Sequence, residues 1–273
     1  MYHILPFSGL YFFIIIFGFI IFLHLFKNIL NKIISFKMIL FIAIIIYIYF
    51  CIPHSEKILF FLIYVYGVYW IYVKNKYQST LLPMIIIALP MILHKFDVSP
   101  IFKVIGISYI TFRTIQAMVD SHNYGKLSFI EFTSFLLFPT TLLAGPIDRS
   151  YRFQEDLQKG YENLTFTNIG KGWDILLVGV LFKFIFAECV NKFWLIPIDE
   201  NSVHLLDMMN SAYSYTTYLF FDFAGYSAMA VGLSIMMGIT VPMNFNHPYL
   251  APNPQDFWRR FHITLGSWLT DYF

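Results

Sequence analysis

The stretch FWRRFHITLGSWLTDYF, at residues 257–273, sets two arginines and a histidine inside an aromatic run. Histidine can donate or accept a proton near neutral pH, and a guanidinium beside it can bind an anionic group. If the stretch is one helix, Trp258, His262 and Gly266 lie on one face. Arg259, at the i−3 position, then shares the neighbourhood of the histidine. His262 is therefore a candidate proton shuttle or substrate contact; the alternative is a buried histidine hydrogen-bonded to the backbone.

Other ionisable side chains lie inside apolar segments, where burial is costly and by default indicates function. Asp222 adjoins FAGYSAMAVGLS, a run of small residues that permits close helix packing, so it is expected to face protein rather than lipid. Arg113 lies within another apolar span, where it is either a structural clamp or a ligand contact. Three residues near the ends of their run are expected to snorkel or to form structural ion pairs: Asp174, Lys183 and Glu188.

Structural roles are expected for several other residues that often mark chemistry. Asp120 is predicted to close a helix at the membrane interface. The seven histidines other than His262 are expected to be satisfied by hydrogen bonds. Cys51 and Cys189 lie far apart, and the sequence has no CxxC pair or Cys/His cluster. This pattern predicts neither a disulfide framework nor a zinc site, and no metal-binding residues are expected.

The composition indicates that most of the chain is solvated by lipid. Hydrophobic residues make up 58% and charged residues 12% of the 273 residues, and the mean hydropathy is +0.65. Soluble domains carry about 25% charged residues, so a water-soluble fold of this composition could not cover its surface. The formal net charge of +2 is too small to indicate nucleic-acid binding. Membrane lipid is thus an expected partner, and nucleic acid is not.

Apolar runs separated by short polar loops predict an all-α polytopic membrane protein with roughly seven to nine spanning or re-entrant helices. We find no internal repeat and no soluble second domain, so residues 1–273 are predicted to form one membrane-embedded domain. A last helical segment is predicted to begin near Pro254, with Asp256 in its first turn. The apolar runs are 4–26, 38–52, 58–73, 81–93, 101–119, 129–144, 173–190 and 211–238.

Lysine placement predicts the orientation of these runs. The loops at 27–37 and 74–76 are the more basic ones, which by the positive-inside rule places them in the cytoplasm and the N-terminus outside. The segment 146–171 also holds basic residues and is interpreted as cytoplasmic. A single crossing by 129–144 would break the alternation of sides. Either this run is a re-entrant or surface helix, which we favour, or the loop at 120–128 lies outside.

Four sequence blocks together resemble the membrane-bound O-acyltransferase (MBOAT) family. They occur in the order expected for that family and cover about residues 100–273, which are the motif-bearing part. The combination of GPIDR and FDFAGYS is most similar to the D-alanyl transfer (DltB) branch, and the alginate and peptidoglycan O-acetyltransferase branch is also similar. The blocks are GISYITFRTIQAMVD (106–120), LLAGPIDRSYRFQEDL (142–157), FDFAGYSAMAVGLSIMMGI (221–239) and NFNHPYLAPNPQDFWRRFHITLGSWLTDYF (244–273).

The resemblance implies a membrane O-acyltransferase built as a helical funnel with a central tunnel. In the D-alanyl branch the donor is a thioester on the phosphopantetheine of a small carrier protein. The acceptor is a hydroxyl of a teichoic-acid-type envelope polymer or a lipid-linked intermediate, and no bound cofactor is implied. The location implied is the bacterial cytoplasmic membrane. His262 matches the first of two family histidines, and the candidates for substrate or tunnel contacts are Arg259, Arg260, Trp258, Asp222 and Arg113.

The resemblance also indicates which part of a family member this chain corresponds to. The second family histidine, usually treated as the main general base, would follow tens of residues after Phe273. From this we expect that the chain is truncated at its C-terminus, that it forms only part of the MBOAT funnel, and that the 273-residue polypeptide is inactive by itself.

Two further classes of function are compatible with a string of apolar helices. A transporter or channel subunit could line a pathway with Arg113, Asp222 and His262, but it would be expected to show internal repeats. A non-catalytic membrane protein could instead dock onto a complete acyltransferase. Substituting His262 by alanine in a full-length version is the test: loss of transfer with normal expression favours chemistry or substrate contact, and loss of expression favours a structural role.

Overall fold

The computed structural model describes residues 6–7, 9–75, 80–98, 103–196 and 204–272. Within these ranges the chain is helical, with one isolated antiparallel β-bridge between Phe245 and Phe261. The helices of the first half are α1 (Leu10–Ile33), α2 (Phe36–Cys51), α3 (Ser55–Asn75), α4 (Leu81–Lys95), α5 (Ile107–Tyr124) and α6 (Phe129–Leu136). Those of the second half are α7 (Ser150–Asn163), α8 (Phe166–Val180), α9 (Glu188–Val190), α10 (Leu205–Met236), α11 (Pro254–Arg260) and α12 (Ile263–Tyr272).

The predicted all-α membrane architecture is confirmed. Among the described residues, three helices, α1, α3 and α10, are long and apolar enough to cross a membrane, and α2 and α4 are shorter apolar helices. Their outward faces carry large apolar side chains that water would not solvate, among them Leu25, Ile63 and Leu206. Because several such helices occur along the chain, the protein is a multi-pass membrane protein.

Several predicted runs differ from the observed helices at their ends. The first run includes positions 4 and 5, and the fifth includes 101 and 102, all outside the described residues. Helix α5 continues five residues past the predicted end at Val119, and it is not among the candidate spans because polar side chains such as Gln116 interrupt it. The run predicted at 173–190 begins earlier, at Phe166, and continues to Leu195 through two π-helical stretches.

Helix α4 contains an internal proline whose local effect is compensated by a tyrosine from α3. Pro90 has no backbone N–H, so the carbonyl of Ile86 one turn earlier loses its helical donor. The hydroxyl of Tyr64 donates to that carbonyl at 2.7 Å. A replacement donor of this kind is needed in an apolar surrounding, where an unsatisfied carbonyl costs free energy. The proline therefore fixes which face of α4 packs against α3.

The run 129–144 does not form a membrane-crossing helix. Helix α6 has 8 residues and is about 12 Å long, against a hydrocarbon core of about 30 Å. It begins with a capping box between Ser128 and Glu131, and a short 3₁₀ turn, Pro139–Thr141, follows it. Residues 131–142 are all buried, enclosed by α2, α5, α7 and α10. A single crossing by this run is excluded by its length, and its burial within protein is what a re-entrant segment requires.

Helices α8 and α10 pack at unusually close range along a glycine seam. A Cβ atom added at Gly172 or Gly179 would meet the backbone of α10 at 2.6–2.7 Å. One added at Gly232 would meet the backbone of α8 at 2.5 Å, and one added at Gly225 would meet it at 2.8 Å. Only glycine fits at such positions. The predicted close packing along the small residues of α10 is therefore confirmed.

Candidate functional site

His262 lies at a break between two helices rather than within one. Helix α11 ends at Arg260 and α12 begins at Ile263, and the backbone of His262 adopts a left-handed conformation with φ of 50°. The prediction that Trp258, His262 and Gly266 share one helical face is therefore wrong. The left-handed residue turns the chain, so that Trp258 and Gly266 belong to different helices.

The break is held by a short pairing with the segment before α11. Phe245 and Phe261 form the β-bridge, and the N–H of Asn246 donates to the carbonyl of Arg260 at 3.0 Å. On the other side of the histidine, the N–H of Ile263 donates to the carbonyl of Asn244 at 2.9 Å. Residues 244–246, at the start of the Pro- and Asn-rich stretch, thus form the partner strand of the histidine hinge, which we define as residues 261–263.

The imidazole of His262 packs against an aromatic ring of α10. It lies edge-to-face with Phe223, with ring centroids 4.8 Å apart and an interplanar angle of 86°. Its Nε2 is buried and has no hydrogen-bond partner among the described residues, which argues against the alternative of a ring fixed by the backbone. Burial lowers the pKa of His262 to about 4, so the ring is neutral at neutral pH. A neutral imidazole keeps one nitrogen able to accept a proton.

The arginines of α11 do not contact His262 through any hydrogen bond or ion pair in the described part of the chain. Arg260 pairs with Asp256 at 2.8 Å along the same helix, and Arg259 is exposed. Trp258 is also exposed, at 66%. The expected start of this helix is confirmed, since Pro254 opens it and Asp256 lies in its first turn. These side chains present a basic and aromatic surface next to the hinge.

Asp222 is joined to the π-helical stretch Leu181–Ala187, which directly follows α8, rather than to the hinge. Its carboxylate forms an ion pair with Lys183 of that stretch, and both side chains are partly buried. The pairing confirms the structural ion pair expected for Lys183 and the expectation that Asp222 faces protein. Asp222 immediately precedes Phe223, so the ion pair fixes α10 at the level of the ring that contacts His262.

Arg113 acts as a clamp on backbone carbonyls. The buried guanidinium donates to the carbonyl of Phe135 at 2.9 Å and to that of Thr141 at 3.0 Å. A longer bond of 3.4 Å reaches Leu136. These carbonyls belong to the end of α6 and the 3₁₀ turn, which have no helical donors of their own. Of the two predicted alternatives, these bonds favour the structural clamp.

Sequence reasoning missed a polar cluster that connects α5 to α12. Asp120 was predicted to close a helix at the interface, but α5 continues to Tyr124 and Asp120 is buried. Its carboxylate accepts hydrogen bonds from the hydroxyls of Ser150, at 2.5 Å, and Tyr272, at 2.7 Å. The prediction of a helix-closing residue is therefore wrong. Buried hydrogen bonds, rather than the membrane interface, satisfy this carboxylate.

Arg149 extends this cluster onto the last helix. Its guanidinium donates to the hydroxyl of Ser267 at 3.1 Å, forms an ion pair with Asp271 and lies over the ring of Tyr272, 5.3 Å from the centroid. The basic residues of this region were interpreted only as a signal of topology. The density of polar residues in GPIDRSYR was the available sequence signal, but their partners lie more than a hundred residues away.

Two of the other histidines show the structural roles expected of them. His24 contacts the carbonyl of Met236 through Nε2 at 3.0 Å, and this bond ties α1 to the end of α10. His122 is hydrogen-bonded to the hydroxyl of Tyr72. His3 lies outside the described residues. The expectation is wrong for His94, because its buried Nδ1 has no hydrogen-bond partner among the described residues, as is also the case for Nε2 of His262.

Sequence comparison assigns the class of protein to which this helical fold belongs. The profile of the membrane-bound O-acyltransferase family matches residues 33–273, so the chain belongs to this family. It is 38% identical over 179 residues to the teichoic acid D-alanyltransferase of Bacillus subtilis (strain 168), covering 62% of this chain and 44% of the relative. It is 32% identical over 240 residues to the teichoic acid D-alanyltransferase of Streptococcus thermophilus, covering 80% of this chain and 58% of the relative.

A second group of relatives carries names that refer to O-acetylation of alginate or peptidoglycan. The chain is 34% identical over 185 residues to the probable alginate O-acetylase AlgI of Azotobacter vinelandii, covering 65% of this chain and 36% of the relative. The chain thus spans about half the length, or less, of the curated relatives it matches, with 44% and 58% for the two D-alanyltransferases. The resemblance found in the four sequence blocks is confirmed at the level of the family.

Proposed function

We propose that this protein is a membrane O-acyltransferase that transfers D-alanine from a carrier-protein thioester to a hydroxyl of an envelope polymer such as teichoic acid. The observation that carries the proposal is the state of His262. Its ring is neutral, its Nε2 is buried without a partner among the described residues, and it is held in a strained hinge against Phe223. The names of two relatives support D-alanine as the transferred group.

The chemistry required of such a site is the activation of a weak nucleophile. A hydroxyl must lose its proton as its oxygen attacks the carbonyl carbon of the thioester, and an unpartnered imidazole nitrogen can accept that proton. The carbon–sulfur bond then breaks, and the leaving thiolate takes up a proton. No step needs a metal ion or a bound cofactor, because the thioester supplies the activated acyl group.

The other predicted site residues have different places in this proposal. Trp258, Arg259 and Arg260 offer an aromatic and basic surface beside the hinge, suited to an anionic or polar substrate group. Asp222 and Arg113 hold the surrounding helices through the contacts described above. We further propose that the protein lies in the bacterial cytoplasmic membrane with its N-terminus outside. The carrier protein then approaches from the cytoplasmic side.

The proposal is tested by ester analysis of the envelope in the organism that encodes the protein. The chromosomal gene is changed to give His262→Asn, because Asn tolerates the left-handed backbone but is not a base at neutral pH. We expect loss of D-alanyl esters from the polymer with an unchanged amount of protein in the membrane. Unchanged ester content at normal protein levels would instead favour a non-catalytic membrane partner.

O-acetyl transfer is the second candidate, because the chain is about as similar to AlgI as to the D-alanyltransferases. The two reactions share the same nucleophilic step and differ in the acyl group. Mass spectrometry of the released esters distinguishes alanine from acetate. A transporter subunit predicts no change in either ester.

A further inference from the structure

The hydroxyl of Thr264 links three segments at the histidine hinge. Thr264 lies in the first turn of α12, two residues after His262, and is 3% exposed. Its Oγ1 accepts a hydrogen bond from the N–H of Ile147 at 3.0 Å and donates to the side-chain oxygen of Asn244 at 2.5 Å. One buried hydroxyl therefore connects the hinge both to the 145–149 segment and to the partner strand.

Asn244 holds the residues that follow His262 through two separate oxygens. Its backbone carbonyl accepts from the N–H of Ile263 at 2.9 Å, and its side-chain oxygen accepts from Thr264. The Asn244 side chain is 1% exposed, so water cannot replace either bond easily. A left-handed backbone at a non-glycine residue costs of order 1 kcal/mol or more and persists only where neighbouring contacts fix it. At His262 these two bonds are such contacts.

The 145–149 segment is itself fixed to α5. The side-chain amide of Gln116 donates to the carbonyl of Asp148 at 2.7 Å, next to the N–H that binds Thr264. A continuous series of buried hydrogen bonds therefore runs from α5 through Asp148, Ile147 and Thr264 to Asn244. The hinge is positioned against the protein interior rather than only against its neighbours in sequence.

We propose that Thr264 and Asn244 are positioning residues that hold the imidazole of His262 at its place against Phe223. They act through the backbone of the hinge, and among the described residues neither side chain is hydrogen-bonded to the ring. The effect expected on acyl transfer rests on the proposed function. The effect expected on the position of the His262 ring is independent of that function, so the two effects can be tested separately.

The first test compares Thr264→Val, which is nearly isosteric but lacks the hydroxyl, with Thr264→Ser, which keeps it. We expect Thr264→Val to lower kcat for transfer from a thioester donor on the order of 10- to 100-fold, with the KM for the donor unchanged. Thr264→Ser should retain near-normal kcat. The matched control is Thr114→Val, which removes a buried hydroxyl whose partner among the described residues is the carbonyl of Ile110, within α5 itself. Thr264→Ala replaces Thr264→Val if the latter does not accumulate.

The second test measures the position of the ring without any acyl transfer. The protein in its membrane is treated with diethylpyrocarbonate, and modification of His262 is followed by peptide mass spectrometry against exposed His54 as reference. We expect a several-fold faster modification of His262 in Thr264→Val and no change in Thr264→Ser. An equal rate in Thr264→Val and the parent protein, or the same increase in Thr114→Val, overturns the proposal. This ratio decides the positioning role whether or not the parent protein shows transfer, and the ester analysis described for His262→Asn decides the proposed function.

Discussion

The hydroxyl of Tyr272 donates a hydrogen bond of 2.7 Å to Asp120, a residue 152 positions earlier in the chain. The same carboxylate accepts from Ser150, so the end of α5, the start of α7 and the last helix meet at one buried group. Three of the four sequence blocks that resemble the family are thereby joined. Helix α12, which follows His262, is docked by this contact and by Arg149.

Removing the Tyr272 hydroxyl should loosen α12. We expect Tyr272→Phe to destabilise the folded protein by about 1.5–3 kcal/mol, because a bond to a buried carboxylate is lost. The measurement is the thermal unfolding midpoint of the detergent-solubilised protein. Tyr213→Phe, at an exposed position of α10, is the control and should leave the midpoint unchanged. Equal midpoints for Tyr272→Phe and the parent protein would contradict the contact.

Replacing the Arg113 clamp should affect stability before it affects substrate binding. We expect Arg113→Met to cost about 3 kcal/mol or more, since it leaves the buried carbonyls of Phe135 and Thr141 without donors. Arg113→Lys should recover only part of this loss, because an ammonium cannot reach both carbonyls in the planar geometry of a guanidinium. The thermal unfolding midpoints of the two variants and the parent protein show whether their stabilities follow this order. A variant that unfolds normally but binds substrate poorly would show that Arg113 is a ligand contact instead.

A single methyl group in the glycine seam should disturb the packing of α8 against α10. A Cβ atom at position 225 would lie 2.6 Å from the backbone nitrogen of Lys183, so Gly225→Ala should destabilise the protein by about 1–3 kcal/mol. Gly170→Ala, on α8, is the matched control, because a Cβ there meets nothing within 4 Å. The control should be neutral or slightly stabilising. The protein yield and the unfolding midpoint of both variants measure this difference in stability.

If His262 is the base, activity should be lost only at unusually low pH. Burial lowers the pKa of His262 from 6.5 to about 4, so the neutral ring stays dominant well below pH 6.5. Transfer that depends on the neutral ring should therefore be half-lost near pH 4 rather than near pH 6.5. Initial rates at donor concentrations well below KM, taken across this interval, measure this loss of activity for the free protein. A half-loss near pH 6.5 would assign the titration to a solvated group.

The same lowered pKa predicts how stability changes with pH. Below pH 6.5 the unfolded chain binds a proton at His262, whereas the folded protein does not until the pH approaches 4. Protonation of His262 in the unfolded chain therefore lowers the free energy of unfolding as the pH falls through this window. Below pH 4 this contribution of His262 no longer changes with pH. His262→Asn should reduce the slope of stability against pH between these two values. The measurement is a set of denaturation curves of both proteins at several pH values. If His262 titrates normally when folded, the slope of stability against pH will be the same in His262→Asn and in the parent protein.

The class of fold was predictable because composition and small-residue patterns act locally. A chain with 12% charged residues requires lipid, and the run after Asp222 predicted the close packing of α10. The need of Arg113 for a carbonyl or anionic partner followed from the cost of burying a guanidinium. Burial alone therefore predicted the kind of contact, although it could not name Phe135 or Thr141 as the partners.

The geometry of the hinge was not predictable from the same evidence. Nothing in RRFHITLG interrupts a helical pattern, because no proline or glycine stands at the break. The left-handed backbone of His262 arises from the pairing of Phe245 with Phe261, which is a tertiary contact. The partners of Arg149 and Asp120 are likewise distant in sequence. Pairings of this kind depend on how helices meet, and one sequence contains no local signal for them.

The π-helical stretches Leu181–Ala187 and Asn191–Leu195 bear on how this helix changes length during evolution. A π turn accommodates about one residue more than an α turn, so each stretch is equivalent to a single-residue insertion into a regular helix. A relative with an uninterrupted helix here would align with one-residue gaps while keeping the glycine seam in phase. In an alignment without gaps, the residues of such a relative that correspond to Lys183 and Asp222 would be out of register. An ion pair retained in space would then not be recognised from the sequences.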